Sequence, residues 1–138
     1  MVKGAALVSV LLVATSCTKS DNIESVRTDW MLEASPTGRV LPVLVQIGGS
    51  SCNSFREIRV TETPSEVAIE AYVNHRTNLR ECTADLRMQR EPVQLAGPVG
   101  ERRLVGCWVS EDEAKALGID TDCTKRVVPV RLASAAGA

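Results

Sequence analysis

Short stretches of alternating apolar and polar residues run along this chain, separated by clusters of Pro, Gly and Ser, and a period of two is that of half-buried strands. Val26, Thr28, Trp30 and Leu32 alternate with Arg27, Asp29 and Glu33. A helix through Ile23, Val26 and Trp30 is the competing period, but Ser35-Pro36-Thr37-Gly38 follows with Pro second and Gly fourth, as a type I turn prefers, so a strand and hairpin are expected. Arg39 to Ile47 is rich in Val and Leu on both faces, a well-covered strand, with Pro42 pushing its start toward an edge or a bulge. Gly48-Gly49-Ser50-Ser51 ends it.

The clearest hairpin pairs Ile58 and Val60 with Val67, Ile69, Ala71 and Val73 across Thr63-Pro64-Ser65. His75 to Glu81 reads as a polar loop. Next, Cys82, Ala84, Leu86 and Met88 share one phase, and Glu91-Pro92 shifts it so that Val93 and Leu95 point inward, which predicts a bulged strand. After a turn at Gly97-Pro98-Val99-Gly100, Leu104 to Val109 forms another strand. Ser110 with Glu113 is a capping-box pattern, Ala114 to Leu117 are helix formers and Gly118 is a stop, predicting one minor helix near 111–117. Val127 to Leu132 is a last strand, at an edge because of Pro129. The fold class expected is all-β: a small antiparallel sandwich or partly open barrel of six or seven short strands.

The first residues follow a different pattern. Lys3, then an apolar run from Gly4 to Ala14, then Thr15-Ser16 before Cys17 supply the positive start, the apolar stretch of roughly 7 to 15 residues and the small residues of a secretory signal. Charge resumes at Lys19-Ser20-Asp21, too soon for the roughly 20 apolar residues of a spanning helix. Cleavage before Cys17 makes it the lipid-attachment residue of a lipoprotein, acylated with palmitate or similar chains. An ordinary signal with Cys17 as an incidental thiol is the alternative, since lipoprotein signals prefer a larger aliphatic residue where Ala14 stands. The expected organisation is a leader over 1–16, a polar tether over 17–26, one domain over 27–132 and a loose tail over 133–138.

Removing residues 1–16 from 138 leaves 122, enough for one core. The chain carries 16 Lys and Arg against 17 Asp and Glu, a net charge of -1 that loss of Lys3 takes to minus two, so there is no field to gather nucleic acid. One Tyr, one Phe and two Trp are too few for stacking platforms on bases or sugars. With Cys17 assigned to lipid, Cys52, Cys82, Cys107 and Cys123 form an even set, which in an oxidising exterior implies two disulfides among three connectivities. Spacing favours Cys52 with Cys82 and Cys107 with Cys123. No C-x-x-C pair is present and the single His is at no useful offset, so a zinc site is not expected.

Cys52-Asn53-Ser54-Phe55 through Val60, Glu62-Thr63, Val67-Ala68-Ile69, Cys82-Thr83-Ala84-Asp85 and Val93-x-Leu95-x-x-Pro98-x-Gly100-x-Arg102 together resemble an uncharacterised family of small secreted proteins and lipoproteins of high-G+C Gram-positive bacteria. The resemblance covers residues 29–106. It implies an all-β extracytoplasmic domain with Cys52 bonded to Cys82, and it brings no catalytic or binding residues.

Candidate chemistry is sparse. A hydrolase needs a base beside its nucleophile, and His75 in a polar loop reads as a solvated side chain. Glu57, Glu62, Glu70 and Asp85 fall on the polar phase of strands, where solvated carboxylates are expected rather than a glycosidase pair. Asp120 and Asp122 beside Glu111, Asp112 and Glu113 lack the ligand spacing of a calcium loop. Arg76, Arg80, Arg87, Arg90, Arg102 and Arg103 would suit an anionic polymer or acidic partner if they converged. The expected function is a non-enzymatic lipoprotein, lipid-anchored to the cell membrane on its extracytoplasmic side, with no cofactor, no metal and an envelope protein or ligand as partner. The alternative is an inhibitor or accessory subunit of a secreted or membrane enzyme.

Overall fold

The Val- and Leu-rich run from Val40 and the alternating run from Glu66 become the centres of two facing sheets. In a computed structural model describing residues 22–129, the chain forms β1 (Ile23–Thr28), β2 (Trp30–Leu32), β3 (Val40–Gly48), β4 (Asn53–Glu62), β5 (Glu66–Arg76), β6 (Arg87–Gln94), β7 (Arg103–Gly106), α1 (Glu111–Leu117) and a 3₁₀ turn at Cys123–Lys125. One sheet has β5 between β4 on one side and, on the other, β1 alongside its second half and β7 alongside its first. The other sheet runs β2-β3-β6. Strict alternation on the two central strands turns Leu41, Val43, Val45 and Ile47 of β3 toward Val67, Ile69, Ala71 and Val73 of β5. Trp30, Leu95, Val99, Leu104 and Val128 complete the core. The fold is an all-β two-sheet sandwich with no closed barrel and two disulfides, Cys52–Cys82 and Cys107–Cys123.

The alternating run around Trp30 serves both sheets. The chain crosses between them at Asp29, where Thr28 Oγ1 donates to the Gln46 carbonyl (2.6 Å) and Gln46 N–H donates to the Asp29 carbonyl (3.0 Å). The hairpin β2–β3 forms as expected, but its turn lies two residues later: Thr37 and Val40 exchange both backbone bonds around Gly38 at φ 57°. Arg39 keeps a negative φ, so Gly38 fills the first central position of a primed turn, which calls for glycine.

Several expectations are corrected. The tether ends before residue 26, because Ile23 to Val26 belong to β1, which is mostly exposed and is held by backbone pairing with Ala71–Arg76 rather than by burial. Pro42 lies in a central strand, not at an edge. Leu95 N–H donates to the Arg39 carbonyl (2.8 Å), and alternation from that bonded pair puts Pro42 opposite Pro92 where the β3–β6 ladder asks neither ring for an N–H; on the β2 side, where β2 has ended, Pro42 only accepts, from Glu33 N–H (2.8 Å). Residues 82–86 are not strand, and no bulge occurs at Glu91-Pro92. β6 instead keeps one phase throughout, with Gln89 and Glu91 on the same face as Val93, bonded to each other at 2.5 Å.

β7 runs parallel to β5, against an all-antiparallel expectation, because the connection from β6 returns over the end of the sandwich. The helix occupies the expected residues: Ser110 Oγ accepts from Glu113 N–H, and Gly118 closes the helix in the left-handed region. Of the expected last strand, Val127 makes a single bridge to Val105. Residues 130–132, the tail over 133–138, and the leader with Cys17 lie outside the described residues.

Candidate functional site

A trough follows β1 along the open side of the sandwich. Its first part is a cleft of about 350 Å³ between the sheets, where Val26 and Thr28 of β1 and Gln46 and Ile47 of β3 face Val73 and His75 of β5. His75 is not in a loop. Pairing with β1 and β4 on both sides extends β5 through Asn74, His75 and Arg76, which places His75 in the inward phase of Val73 and leaves it half-buried. Its Nδ1 lies 2.7 Å from Oδ1 of its cross-strand partner Asn53. No hydroxyl, thiol or carboxylate among the described residues is hydrogen-bonded to it.

Beyond Arg27 and Thr28 the trough continues into a second cleft of about 400 Å³, lined by Asp29, Ser110, Thr121, Arg126 and the Cys107–Cys123 disulfide. Arg126 is 3% exposed, and its guanidinium is spent on the backbone carbonyls of Asp120 (2.8 Å), Thr121 (2.7 Å) and Val109. Those bonds tie the segment after α1 to the end of β7. Burial pushes the Asp29 carboxyl above its ordinary value, Arg126 pulls it back and Glu113 adds to the rise. Arg27 bridges the two clefts: Nη2 pairs with Glu70 at 3.1 Å, while Nη1 lies 3.0 Å from Cys123 Sγ and 3.7 Å from Cys107 Sγ.

The residues of the family-like pattern do something else. Thr83 and Asp85 clamp the β3–β4 turn: Asp85 accepts from Ser50 N–H (3.0 Å), Thr83 Oγ1 accepts from Ser51 N–H (3.2 Å) and Thr83 N–H donates to Ser51 Oγ (2.9 Å). The Thr83 and Ser50 bonds hold the Asp85 carboxyl down to about 2. At the opposite end, Glu62 accepts from Ala96 N–H (2.7 Å) and from Arg102 Nη1 (2.9 Å), and Arg102 Nη2 also donates to the Gly97 and Pro98 carbonyls. The Ala96 bond and then Arg102 hold the Glu62 carboxyl below its usual range. Both sets fasten loops to sheets.

Other candidate residues are not brought together. Glu57 pairs with Arg59 and Arg56, and Glu70 with Arg27. Four of the six arginines sit on carboxylates at different parts of the surface: Arg87 with Asp85, Arg90 with Glu33, Arg102 with Glu62 and Arg103 with Glu66. Glu111 pairs with Lys115, and Asp122 caps the 3₁₀ turn and pairs with Lys125. Among the described residues no group of three or more His, Cys, Asp or Glu is gathered for a metal ion. Asp29, Asn53, Arg27 and Arg126 are the site residues that sequence reading missed.

The site and fold define a class, a small disulfide-bonded β-sandwich with an open trough on one side. Compared with models of known families, with curated proteins and with solved structures, the chain matches none.

Proposed function

We propose that this is a non-enzymatic, membrane-anchored lipoprotein whose extracytoplasmic domain binds an envelope protein or ligand in the trough along β1. Two disulfides in one small domain suit an oxidising exterior, and the leader-like run ending in Thr15-Ser16-Cys17 supports anchoring through an acylated Cys17. The observation that carries the binding reading is the trough itself. Val26, 39% exposed, stands at its lip beside Val73 and Ile47, while the one histidine is held on Asn53 without a nucleophile. Such a wall, Val26, Ile47 and Val73 interleaved with the polar side chains of Arg27, Thr28, Gln46, Asn53 and His75, orients a ligand rather than reacting with it.

Acylation at Cys17 also limits where the partner sits. Five residues separate Cys17 from Ile23, and a chain spans at most about 3.6 Å per residue, so β1 starts within about 20 Å of the lipid. The partner is therefore membrane-proximal. The test is a photo-crosslinking residue at Val26 in intact cells, with Val40, at the far end of β3, as control. Adducts from Val26 that disappear when the domain is instead released behind an ordinary, non-lipid secretion leader are expected; equal adducts from Val40, or none from Val26, would overturn the reading. If the captured protein is an enzyme whose rate changes on binding, the inhibitor or accessory function replaces it.

A further inference from the structure

The two disulfides stand in unlike surroundings. Cys52 Sγ lies 3.8 Å from the Glu81 carbonyl oxygen and 3.9 Å from Ser51 Oγ, neighbours that offer a thiolate no positive charge. Both sulfurs of Cys107–Cys123, by contrast, lie against one guanidinium, at 3.7 Å and 3.0 Å from Arg27 Nη1. Glu70 holds the other end of that guanidinium at 3.1 Å, so it is aimed by the sheet rather than swinging free. The sulfurs also line the second cleft of the trough, where Cys107 is buried and Cys123 is half-exposed. A thiolate is stabilised beside arginine, and a sulfur whose thiolate is stabilised leaves faster in exchange.

We propose that Cys107–Cys123 is a site of thiol–disulfide exchange whose co-substrate is an external thiolate entering the cleft at Cys123. The thiolate attacks Cys123 Sγ, a new sulfur–sulfur bond forms there, the Cys107–Cys123 bond breaks, and its electron pair leaves on Cys107 Sγ against Arg27. A second thiolate then attacks the external sulfur of the mixed disulfide. That step releases an oxidised external disulfide and leaves Cys123 as thiolate, so two electrons have passed from two thiols to this protein. Opening frees the ends of the segment carrying α1, which the bond closes over 16 positions, while Arg126 still holds that segment to the Val109, Asp120 and Thr121 carbonyls. The exchange alters one wall of the trough without unfolding the sandwich. This inference stands on the placement of Arg27 against the two sulfurs and is independent of what the trough binds.

The native protein is equilibrated with graded reduced and oxidised glutathione, or with a reduced dithiol oxidoreductase, then trapped by alkylation and mapped by mass spectrometry. Cys107–Cys123 should open under more oxidising conditions than Cys52–Cys82, with the mixed disulfide on Cys123, and Arg27→Gln should slow opening about tenfold while Arg27→Lys restores most of it. Faster opening by the dithiol protein than by glutathione names a protein as the source of the thiolate; the reverse names a small thiol. Simultaneous opening of both bonds, or a mixed disulfide on Cys107, would overturn the proposal. A second measurement needs no Arg27 variant to fold: in Cys123→Ser, the Cys107 thiol, the leaving group of the exchange, should alkylate with a pH midpoint below the ordinary value of about 8.5. An unshifted midpoint refutes the role of Arg27.

Discussion

Gly106→Ala is the substitution that tests the packing of this sandwich most directly. Gly106 ends β7 at φ 155°, its N–H donates to the Arg126 carbonyl (3.0 Å), and a Cβ built on it would lie 2.2 Å from the Ile69 carbonyl oxygen and 2.8 Å from Cζ2 of Trp30. Neither neighbour yields easily. The Ile69 oxygen belongs to the central strand β5, and Trp30 is 1% exposed in the middle of the core. Backbone strain of about 1 kcal/mol and overpacking of about 2 kcal/mol predict a loss of about 3 kcal/mol. With a urea dependence of about 1.5 kcal/mol per molar, the midpoint should fall by about 2 M. Intrinsic fluorescence from Trp30 and Trp108 reports the transition. Gly100→Ala is the control, since Gly100 shares a positive φ (54°) but would meet nothing within 4 Å, so only the strain of about 1 kcal/mol remains. Equal midpoints for the two variants would refute the parallel seating of β7 against β5 and Trp30.

Four further outcomes are expected. Cys52→Ala with Cys82→Ala opens a loop of sequence separation 30 and should cost about 3.5 kcal/mol by chain entropy, lowering the melting temperature globally. Losing Cys107 and Cys123, separation 16, should cost about 3 kcal/mol and speed amide exchange mainly over 107–129; the same pattern from both pairs would count against this division. The Asp85 carboxyl is held below its unfolded value, so its clamp is fully present above pH of about 4 and is lost as the pH falls toward about 2, and the Ser50 amide resonance should follow that titration; a midpoint near the ordinary 3.8 would show the clamp absent. Cys17→Ala should abolish lipid labelling and leave the precursor uncleaved in the membrane fraction, whereas normal cleavage and release would assign the leader to an ordinary signal peptidase.

Alternation revealed β5, which buries one face, and β4, whose inward face is only half-buried; Val and Leu content revealed β3, and the caps revealed α1 because Ser110 and Gly118 act locally. Pairing direction leaves no trace in alternation, so the parallel β7 was invisible. β6 was misread because its inward phase carries Gln89 and Glu91, and the apolar residues before it, Cys82 to Leu86, belong to a clamp segment rather than a strand. His75 reads as loop because His75 to Glu81 is polar throughout apart from Leu79; the strand geometry of His75 and Arg76 comes from partners on both sides. The trough was hidden for a related reason: Arg27 meets sulfurs 80 and 96 residues away, a proximity that only the crossing at Asp29 and the return of β7 create.

The residues with the most recognisable spacing are therefore not those that line the trough. Cys82-Thr83-Ala84-Asp85 closes the β3–β4 turn, and there Gly49 is required for a reason its neighbours supply: a Cβ on it would lie 2.2 Å from the Thr83 carbonyl oxygen. Pro98-x-Gly100-x-Arg102 closes the other end through Glu62. A chain preserving both patterns preserves two fasteners of a sandwich while leaving β1 and the Cys107–Cys123 segment free to differ. Similarity in those motifs thus reports fold. Differences in what such sandwiches bind should be sought at Val26, Arg27, Asp29 and His75, where exposed apolar surface, a positioned cation, a carboxyl shifted by burial and a fixed imidazole share one open side of the molecule.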